Sequence, residues 1–224
     1  MLEVGRMPGG LVEDRTHFGA WCITSSPLIL GYDLRDGATT DRVWPVIANT
    51  EAIAVNQVWA GHPGRRVRVD SLTGVELWMK PLSVGAVGAV GAVGAQQIST
   101  STSTSDGNAD ARAAPAMGKV GKVGKVAAFL LNPGTERVAA ASFDISELGF
   151  LPGTTVTVRD IWEHRDVGLR GPMGPIETIG GTKGRIQQSV ETTHTVGTTL
   201  TMGTTTVTAD LAGHDSAFFT LTPQ

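Results

Sequence analysis

This sequence has a single cysteine, no long apolar run and no excess of basic residues. Cys22 is the only cysteine, so the chain can form no internal disulfide and no metal site made of several thiolates. No uninterrupted apolar run approaches the roughly 20 residues that a membrane-spanning helix needs. The net charge is −3, so no basic surface is available, and we expect neither nucleic acid nor a membrane as a partner.

The N-terminus also lacks the charged and then apolar pattern of a signal peptide, and the localisation stays unknown. What is present is enough apolar material for a core, because 41% of the residues are hydrophobic and the mean hydropathy is +0.04. A chain of 224 residues can hold one large domain or two modest ones.

Residues 16–57 have the pattern of a β/α unit. Phe18, Trp21, Cys22 and Ser25 recur at i, i+3, i+4 and i+7, which predicts a helix with one buried face that ends before Pro27. Cys22 lies on that apolar face, so we interpret it as a small core residue and not as a nucleophile. Residues 28–34 are almost continuously apolar, which predicts a parallel strand covered on both faces.

A second helix should follow, with Thr39 or Thr40 as its N-cap. Its apolar positions continue to Ile47, but Pro45 interrupts the pattern. Because proline is tolerated in the first turn and is costly elsewhere, we expect this helix to be short or kinked.

From residue 67 onwards the apolar residues alternate with polar ones, and turn residues such as Gly74 separate the runs. Short alternating strands of this kind predict an antiparallel β-sandwich. The predicted strands are 67–69, 75–79, 126–131, 138–143, 154–160, 207–211 and 217–221. Two low-complexity inserts, at about 84–125 and 170–205, are predicted to be flexible surface loops, because they are rich in Gly, Ser and Thr and poor in large apolar residues.

Several motifs occur in a fixed order along the chain. They are Met1-Leu-Glu-Val-Gly, His17-Phe, Ser26-Pro-Leu, Asp33-Leu-Arg and Ile53-Ala-Val-Asn-Gln, followed by looser ones such as Glu76-Leu-Trp and Arg159-Asp-Ile-Trp. Together they resemble the α-galactosidases (melibiases) of glycoside hydrolase family twenty-seven. The resemblance implies that residues 1–60 are the last β/α units of a TIM (β/α)8 barrel and that residues 61–224 form a Greek-key-like antiparallel β-sandwich.

The sequence departs from that family in the loop at residues 5–10. This loop is two residues longer than the family's motif, and the start of the next helix is about two residues shorter. Val12 stands where the family usually has a threonine or serine N-cap, so we expect a poorly capped first turn.

The resemblance also implies an activity, the retaining hydrolysis of terminal α-galactosyl residues by two aspartates without a cofactor. The family's nucleophile motif is missing from this chain, so we expect both aspartates to precede Met1, no catalytic residue within the chain, and no activity of the chain alone. Met1 matches a methionine that lines the family's sugar pocket, which makes it the one predicted substrate-binding residue. The resemblance implies an α-galactoside as the substrate and is compatible with a protein that forms homo-oligomers. Members of the family are typically secreted, vacuolar or lysosomal.

The remaining polar residues suggest structural roles. We interpret Asp33 as a hydrogen-bonding residue and Asp160 as one that ties the end of a strand. The five histidines show no spacing typical of metal ligands, so no metal site is predicted, and His17 and His214 are expected to pack. The tryptophans all fall in patterns typical of core packing; they are Trp21, Trp44, Trp59, Trp78 and Trp162.

Three alternatives stay open at this stage. The sandwich could be a non-catalytic carbohydrate-binding or structural module, which exposed aromatic side chains would favour. The specificity could be that of an α-N-acetylgalactosaminidase, because the loops that distinguish the two sugars would lie upstream. The chain could also be the product of an incomplete gene. A partial barrel exposes unpaired strand edges, so such a protein would fold poorly or aggregate.

Overall fold

The structure is a computed structural model of the chain, and it describes residues 1–83, 123–171 and 205–224. Within those residues, three helices are followed by eight strands in two antiparallel sheets. Most of the two predicted inserts, at 84–125 and 170–205, lies outside the described residues.

Helix α1 (Gly10–Ile23) carries the predicted apolar face. Phe18 and Cys22 are buried, whereas Ser25 lies beyond the end of the helix with a positive φ of 57°. No side chain caps the first turn, as expected, but the N-cap is Gly9, and Val12 lies inside the helix. The Glu13 carboxylate partly compensates, because it accepts a hydrogen bond from the Gly9 N–H at 2.6 Å.

Helices α2 (Gly37–Ile47) and α3 (Thr50–Gln57) follow. The predicted N-cap of α2, at Thr39 or Thr40, is wrong. The helix starts at Gly37, and Asp36 caps it by accepting from the Thr39 N–H at 3.0 Å and the Thr39 hydroxyl at 2.6 Å. Pro45 lies in the last turn, so its missing N–H removes a bond only near the end of the helix. The helix has 11 residues, an ordinary length, so the prediction of a short helix is wrong.

The predicted strand at residues 28–34 is reduced to one contact, which it makes with the first residues of the chain. Leu2 and Leu30 form an isolated parallel bridge, and the Leu2 N–H donates to the Ile29 carbonyl at 2.7 Å. Ile29 is 57% exposed and Leu34 is 66% exposed, so the prediction of a strand covered on both faces is wrong for the described residues. A parallel strand of this type is stabilised by neighbours at both edges, and the described residues supply one.

The predicted sandwich strands are confirmed, and one further strand, β6, was not predicted. The signal for β6 is weak, because its only large apolar residues are Val167 and Leu169, with Gly168 between them and charged residues on either side. The strands are β1 (Arg65–Val69), β2 (Glu76–Pro81), β3 (Val126–Leu131), β4 (Val138–Asp144), β5 (Val156–Asp160), β6 (Arg165–Arg170), β7 (Thr206–Leu211) and β8 (Ser216–Pro223). One sheet has the order β1-β2-β3-β8-β5-β6, and β4 and β7 pair in a second sheet.

The larger sheet is covered on both faces. Along β3, Ala128 and Leu130 belong to the core between the two sheets, while Ala127 and Phe129 belong to the core under the helices. This alternation follows from the period of two of a β-strand. The molecule therefore has three layers, with the helices on one side of the larger sheet and the β4–β7 pair on the other.

Helix α1 packs closely on the larger sheet at Gly19. The Phe129 ring of β3 and the Trp162 ring, which follows β5, both lie directly over this glycine. Any side chain at this position would push the helix away from the sheet.

Polar contacts also join the helices to the sandwich. Arg15 of α1 pairs with Asp215 at 2.7 Å, and the Asn49 side-chain amide donates to the Ile161 carbonyl at 3.0 Å. Glu51, in the first turn of α3, binds the Arg159 guanidinium through both carboxylate oxygens at 2.7 and 2.8 Å. These contacts fix the helical layer in position on the sheet.

In the part of the chain that the structure describes, no helix is both long enough and apolar enough to cross a membrane.

Replacing Gly19 by alanine tests the packing of α1 on the sheet. A Cβ atom there would lie 2.5 Å from Phe129 Cε2 and 2.9 Å from Trp162 Cζ2. Alanine favours a helix over glycine by about 1 kcal/mol, but overpacking a core costs about 1–3 kcal/mol. We expect the crowding to prevail, so that Gly19→Ala lowers the free energy of unfolding by about 1 kcal/mol or more in urea denaturation.

Gly37→Ala is the matched control, because Gly37 begins α2 and a Cβ atom there meets nothing within 4 Å. This variant should be as stable as the parent protein or slightly more stable. If Gly19→Ala were also as stable as the parent, α1 would not be packed against the two rings as described.

Replacing Glu51 by glutamine tests the polar contacts of α3. Hydrogen bonds from Arg159, and secondarily from His164 at 2.9 Å, hold the pKa of the Glu51 carboxyl below its ordinary value, although burial opposes them. A carboxyl with a lowered pKa in the folded protein stabilises it above the unfolded pKa of about 4.3, and the contribution is lost as the pH falls through the folded pKa. Glu51→Gln should therefore lower the melting temperature by about 2–4 °C near pH 7.

The difference between Glu51→Gln and the parent protein should narrow as the pH falls below about 4. Asp33→Asn is the control, because it removes an ion pair that is exposed to solvent and joins no two layers. A melting-temperature difference for Glu51→Gln that stayed constant from pH 7 to pH 3 would contradict an ionic contribution from this carboxylate.

Candidate active-site edge

The candidate site lies where the parallel pair of Leu2 and Leu30 ends. The segments that follow these two residues leave the pair at the same end, because the pair is parallel. In folds made of β/α units, ligands bind at the carboxyl ends of the parallel strands. The loops at residues 3–10 and 31–36 are therefore the part of the helical layer where a binding site is expected.

Gly31 allows the two segments to approach closely. A Cβ atom at Gly31 would lie 2.5 Å from the Leu2 carbonyl oxygen and 3.6 Å from Met1 Cε. The Met1 side chain thus lies beside Gly31, and Met1 is 67% exposed. The close approach requires glycine, since the obstructing atom belongs to the backbone and cannot rotate away.

An open pocket of about 260 Å³ lies between the two loops. Its walls carry charged and polar groups and the ring of Tyr32. The lining residues are Gly5, Arg6, Gly31, Tyr32, Asp33, Asp36 and Thr39.

Both carboxylates of this pocket are already engaged. Arg35 binds Asp33 at 2.8 Å, and this hydrogen bonding lowers the pKa of the Asp33 carboxyl. Hydrogen bonds from Thr39 likewise lower the pKa of Asp36. Both groups are therefore ionised at neutral pH and cannot act as proton donors, although they can accept hydrogen bonds from a polar ligand. Asp33 is hydrogen-bonded, as interpreted from the sequence, but its partner is the exposed Arg35 two residues along the chain, and its non-catalytic role stays a prediction.

A buried ion pair holds the first loop in place. The Asp14 carboxylate of α1 is fully buried and accepts from the Gly5 N–H at 2.7 Å and from Arg42 Nη1 at 2.8 Å. Arg42 Nη2, on α2, donates to the Gly5 carbonyl at 2.9 Å. We call these two side chains the Asp14–Arg42 pair; together they bind both the N–H and the C=O of Gly5.

The other residues singled out by the sequence have structural surroundings. Burial raises the pKa of the Cys22 thiol to about 12, so at neutral pH this cysteine is protonated and its role as a core residue is confirmed. His17 Nε2 accepts from the Glu3 N–H at 3.0 Å, and burial lowers the pKa of its ring. The Asp160 carboxylate accepts from the backbone N–H groups of Trp162 and Glu163, which confirms that it ties the end of β5.

The comparisons with known proteins agree on one family. A family model described as the α-galactosidase C-terminal β-sandwich domain matches residues 118–179. The α-galactosidase of Cyamopsis tetragonoloba is 32% identical over 166 residues, which cover 73% of this chain and 29% of that protein. The α-galactosidase of Coffea arabica is 26% identical over 226 residues, which cover 100% of this chain and 39% of that protein. The chain belongs to the α-galactosidase family.

Solved structures give the same fold. α-Galactosidase I of Mortierella vinacea superposes on this chain with a TM-score of 0.57 at 20% identity. The superposition covers 99% of this chain and 38% of the Mortierella protein. The Saccharomyces cerevisiae α-galactosidase bound to raffinose superposes with a TM-score of 0.57 at 16% identity. This superposition covers 100% of this chain and 46% of the yeast protein. At such identities the likeness concerns the fold alone. The family chain described here spans well under half the length of these relatives.

Two tryptophans of this α-galactosidase-family chain contradict the prediction of core packing. Trp44 is 59% exposed and Trp59 is 61% exposed. Trp44 points outward because the buried face of α2 is set by Val43 and Val46, and a residue one position after Val43 is turned by about 100° around the helix. The other three tryptophans pack against the core under the helices, as predicted; they are Trp21, Trp78 and Trp162.

The Asp14–Arg42 pair was not predicted from the sequence. A signal for Asp14 was available, because Asp14, Phe18 and Cys22 are spaced by four residues on the buried face of α1. A charged residue in such a stripe requires a buried partner. No comparable signal exists for Arg42, whose contact with Gly5 depends on how α2 packs.

Among the residues that the structure describes, no three His, Cys, Asp or Glu side chains gather as metal ligands.

Replacing Gly31 by alanine tests the close approach of the two segments. The new methyl group would meet the Leu2 carbonyl oxygen, so the parallel bridge should open. We expect the Leu2 N–H, which donates to Ile29, to exchange with solvent at least about tenfold faster, as measured by NMR. Gly37→Ala is again the control, and equal Leu2 protection in Gly31→Ala would show that the two segments are further apart than described.

Proposed function

We propose that these residues are the C-terminal part of an α-galactosidase, whose complete protein removes terminal α-galactosyl residues with retention of configuration. The observation that carries the proposal is the order of elements, a parallel pair with helices α1 and α2 followed by an antiparallel sandwich that a family model matches. Residues 1–60 would be the last β/α units of a (β/α)8 barrel, and residues 61–224 the Greek-key-like sandwich domain. The boundary would fall between α3 and β1, where the chain has neither helix nor strand.

The chemistry of this proposal needs two carboxyl groups about 5 Å apart, one as nucleophile and one as acid and base. The carboxylates of the candidate pocket, Asp33 and Asp36, do not suit the role of the acid, because their pKa values are lowered and not raised. The reacting aspartates would precede Met1 in the longer protein. This chain would contribute one wall of the sugar pocket through Met1, whose exposed side chain lies beside Gly31.

The substrate would be an α-galactoside, a class that includes raffinose, the sugar bound to the Saccharomyces cerevisiae relative. An α-N-acetylgalactosaminidase-like specificity is the neighbouring alternative, because the discriminating loops would also lie upstream. No cofactor is required for the proposed reaction.

A second candidate function is that of a non-catalytic carbohydrate-binding module. The exposed side chains of Trp44 and Trp59 favour it, because aromatic faces exposed to solvent are typical of sugar-binding surfaces. Both belong to the helical part of the chain, however, and not to the sandwich. We therefore rank this function second.

The test is an assay with an aryl α-galactoside. We expect the purified chain of residues 1–224 to release no product above background, and the longer product of the same gene to be active. We also expect an in-frame Asp-Pro-Asp immediately before Met1 in the coding sequence. Hydrolysis by residues 1–224 that Asp33→Asn abolished would contradict the proposal.

Titration of the isolated chain with galactose separates the two candidate functions. Saturable binding that Trp44→Ala or Trp59→Ala removed would favour the binding module. Absence of binding by the chain, together with activity of the longer protein, would support the hydrolase.

A further inference from the structure

The Asp14–Arg42 pair joins three elements at one backbone position. Asp14 comes from α1, Arg42 from α2, and Gly5 from the loop between the parallel pair and α1. The Asp14 side chain is fully buried, whereas the Arg42 side chain is 41% exposed. A buried carboxylate is costly unless its oxygens are bonded, and here one oxygen binds the loop and the other binds the guanidinium.

Gly5 needs such support because of its conformation. Its φ is +89°, and the loop reaches a second positive φ at Gly10. Glycine loses more conformational freedom on ordering than any other residue. A loop that starts and ends with glycine therefore needs contacts from the rest of the protein to offset this loss of entropy.

We infer that Asp14 and Arg42 are positioning residues for the sugar pocket. This inference rests on the proposed function. Gly5 and the neighbouring Arg6 line the candidate pocket, so a shift at Gly5 moves this wall of the pocket directly. The pair acts through the backbone and touches no substrate.

Two features distinguish this role from simple stabilisation of the helix ends. Arg42 uses two separate nitrogens, one for Asp14 and one for the Gly5 carbonyl, which the planar guanidinium presents in a fixed geometry. Asp14 likewise binds the loop and the arginine with different oxygens. The geometry therefore fixes the orientation of the Gly5 peptide groups as well as their position.

The experiment uses Arg42→Lys, Arg42→Gln and Asp14→Asn in the longer protein that contains these residues. Lysine keeps the positive charge beside Asp14 but cannot reproduce the two-pronged contact. A displacement of about 1 Å in a binding site can cost about 100-fold in rate. We expect all three variants to lower kcat/KM for an aryl α-galactoside by about 10- to 100-fold, with Arg42→Lys close to the parent in melting temperature.

The control is Arg137→Gln, which removes an ion pair of similar length, 2.7 Å to Asp210, in the sandwich. It should leave kcat and KM unchanged. Unchanged kcat and KM in folded Arg42→Lys and Asp14→Asn, with only a lower melting temperature, would overturn the inference.

A second measurement does not depend on activity. Hydrogen exchange of the Gly5 amide, followed by NMR or mass spectrometry, should accelerate at least about tenfold in Asp14→Asn and in Arg42→Gln, and remain unchanged in Arg137→Gln. If the parent protein hydrolysed no α-galactoside, the proposed function would fail, and the exchange data would still show whether the pair holds the loop. If the parent were active and the Gly5 amide stayed equally protected in the variants, the positioning role alone would fail.

Discussion

The structure depends on one constraint, that the larger sheet is buried on both of its faces. Its central strands β3 and β8 therefore carry apolar residues at successive positions, as in Phe218 and Phe219, which face opposite cores. A sheet with only one covered face would show polar residues at every second position. Both the helices and the β4–β7 pair are needed to keep these apolar side chains from water.

Because both faces of the sheet are covered, polar groups at the boundary between the layers are buried and need hydrogen-bond partners there. Lys80 of β2 is fully buried, and its ammonium group donates to the carbonyls of Val55 and of Asn56, the latter at 3.1 Å, at the carboxyl end of α3. The negative end of a helix dipole favours such a cation, while burial lowers the pKa of the lysine. The helical layer thus supplies the carbonyl groups that the buried Lys80 ammonium group needs, and this contact attaches α3 to the sheet.

The parts of the fold that could be predicted from the sequence are those with a local signal. The strands β1 and β2 follow from alternation, the more continuously apolar strands follow from short apolar runs bounded by turn residues, and α1 follows from its apolar face. Where a nonlocal contact decides, prediction failed: the segment at 28–34 needs neighbours at both edges to become a strand, and the exposure of Trp44 depends on which face of α2 is covered. For the candidate site, the substrate-binding role of Met1 and the non-catalytic role of Asp33 stay predictions, and the contact of Arg42 with Gly5 could not be predicted because it exists only in three dimensions.

Helix α1 connects the sandwich to the candidate site through adjacent residues. Arg15 and Thr16 bind Asp215 and Ser216 of the sandwich at 2.7 and 3.0 Å, while Asp14 turns toward the loop at Gly5. Successive residues on a helix are about 100° apart, so these neighbours can face different partners. The sandwich therefore fixes the position of α1, and α1 in turn fixes the loop. In the proposed function, the sandwich would in this way set the position of the loop beside the sugar pocket without touching the substrate.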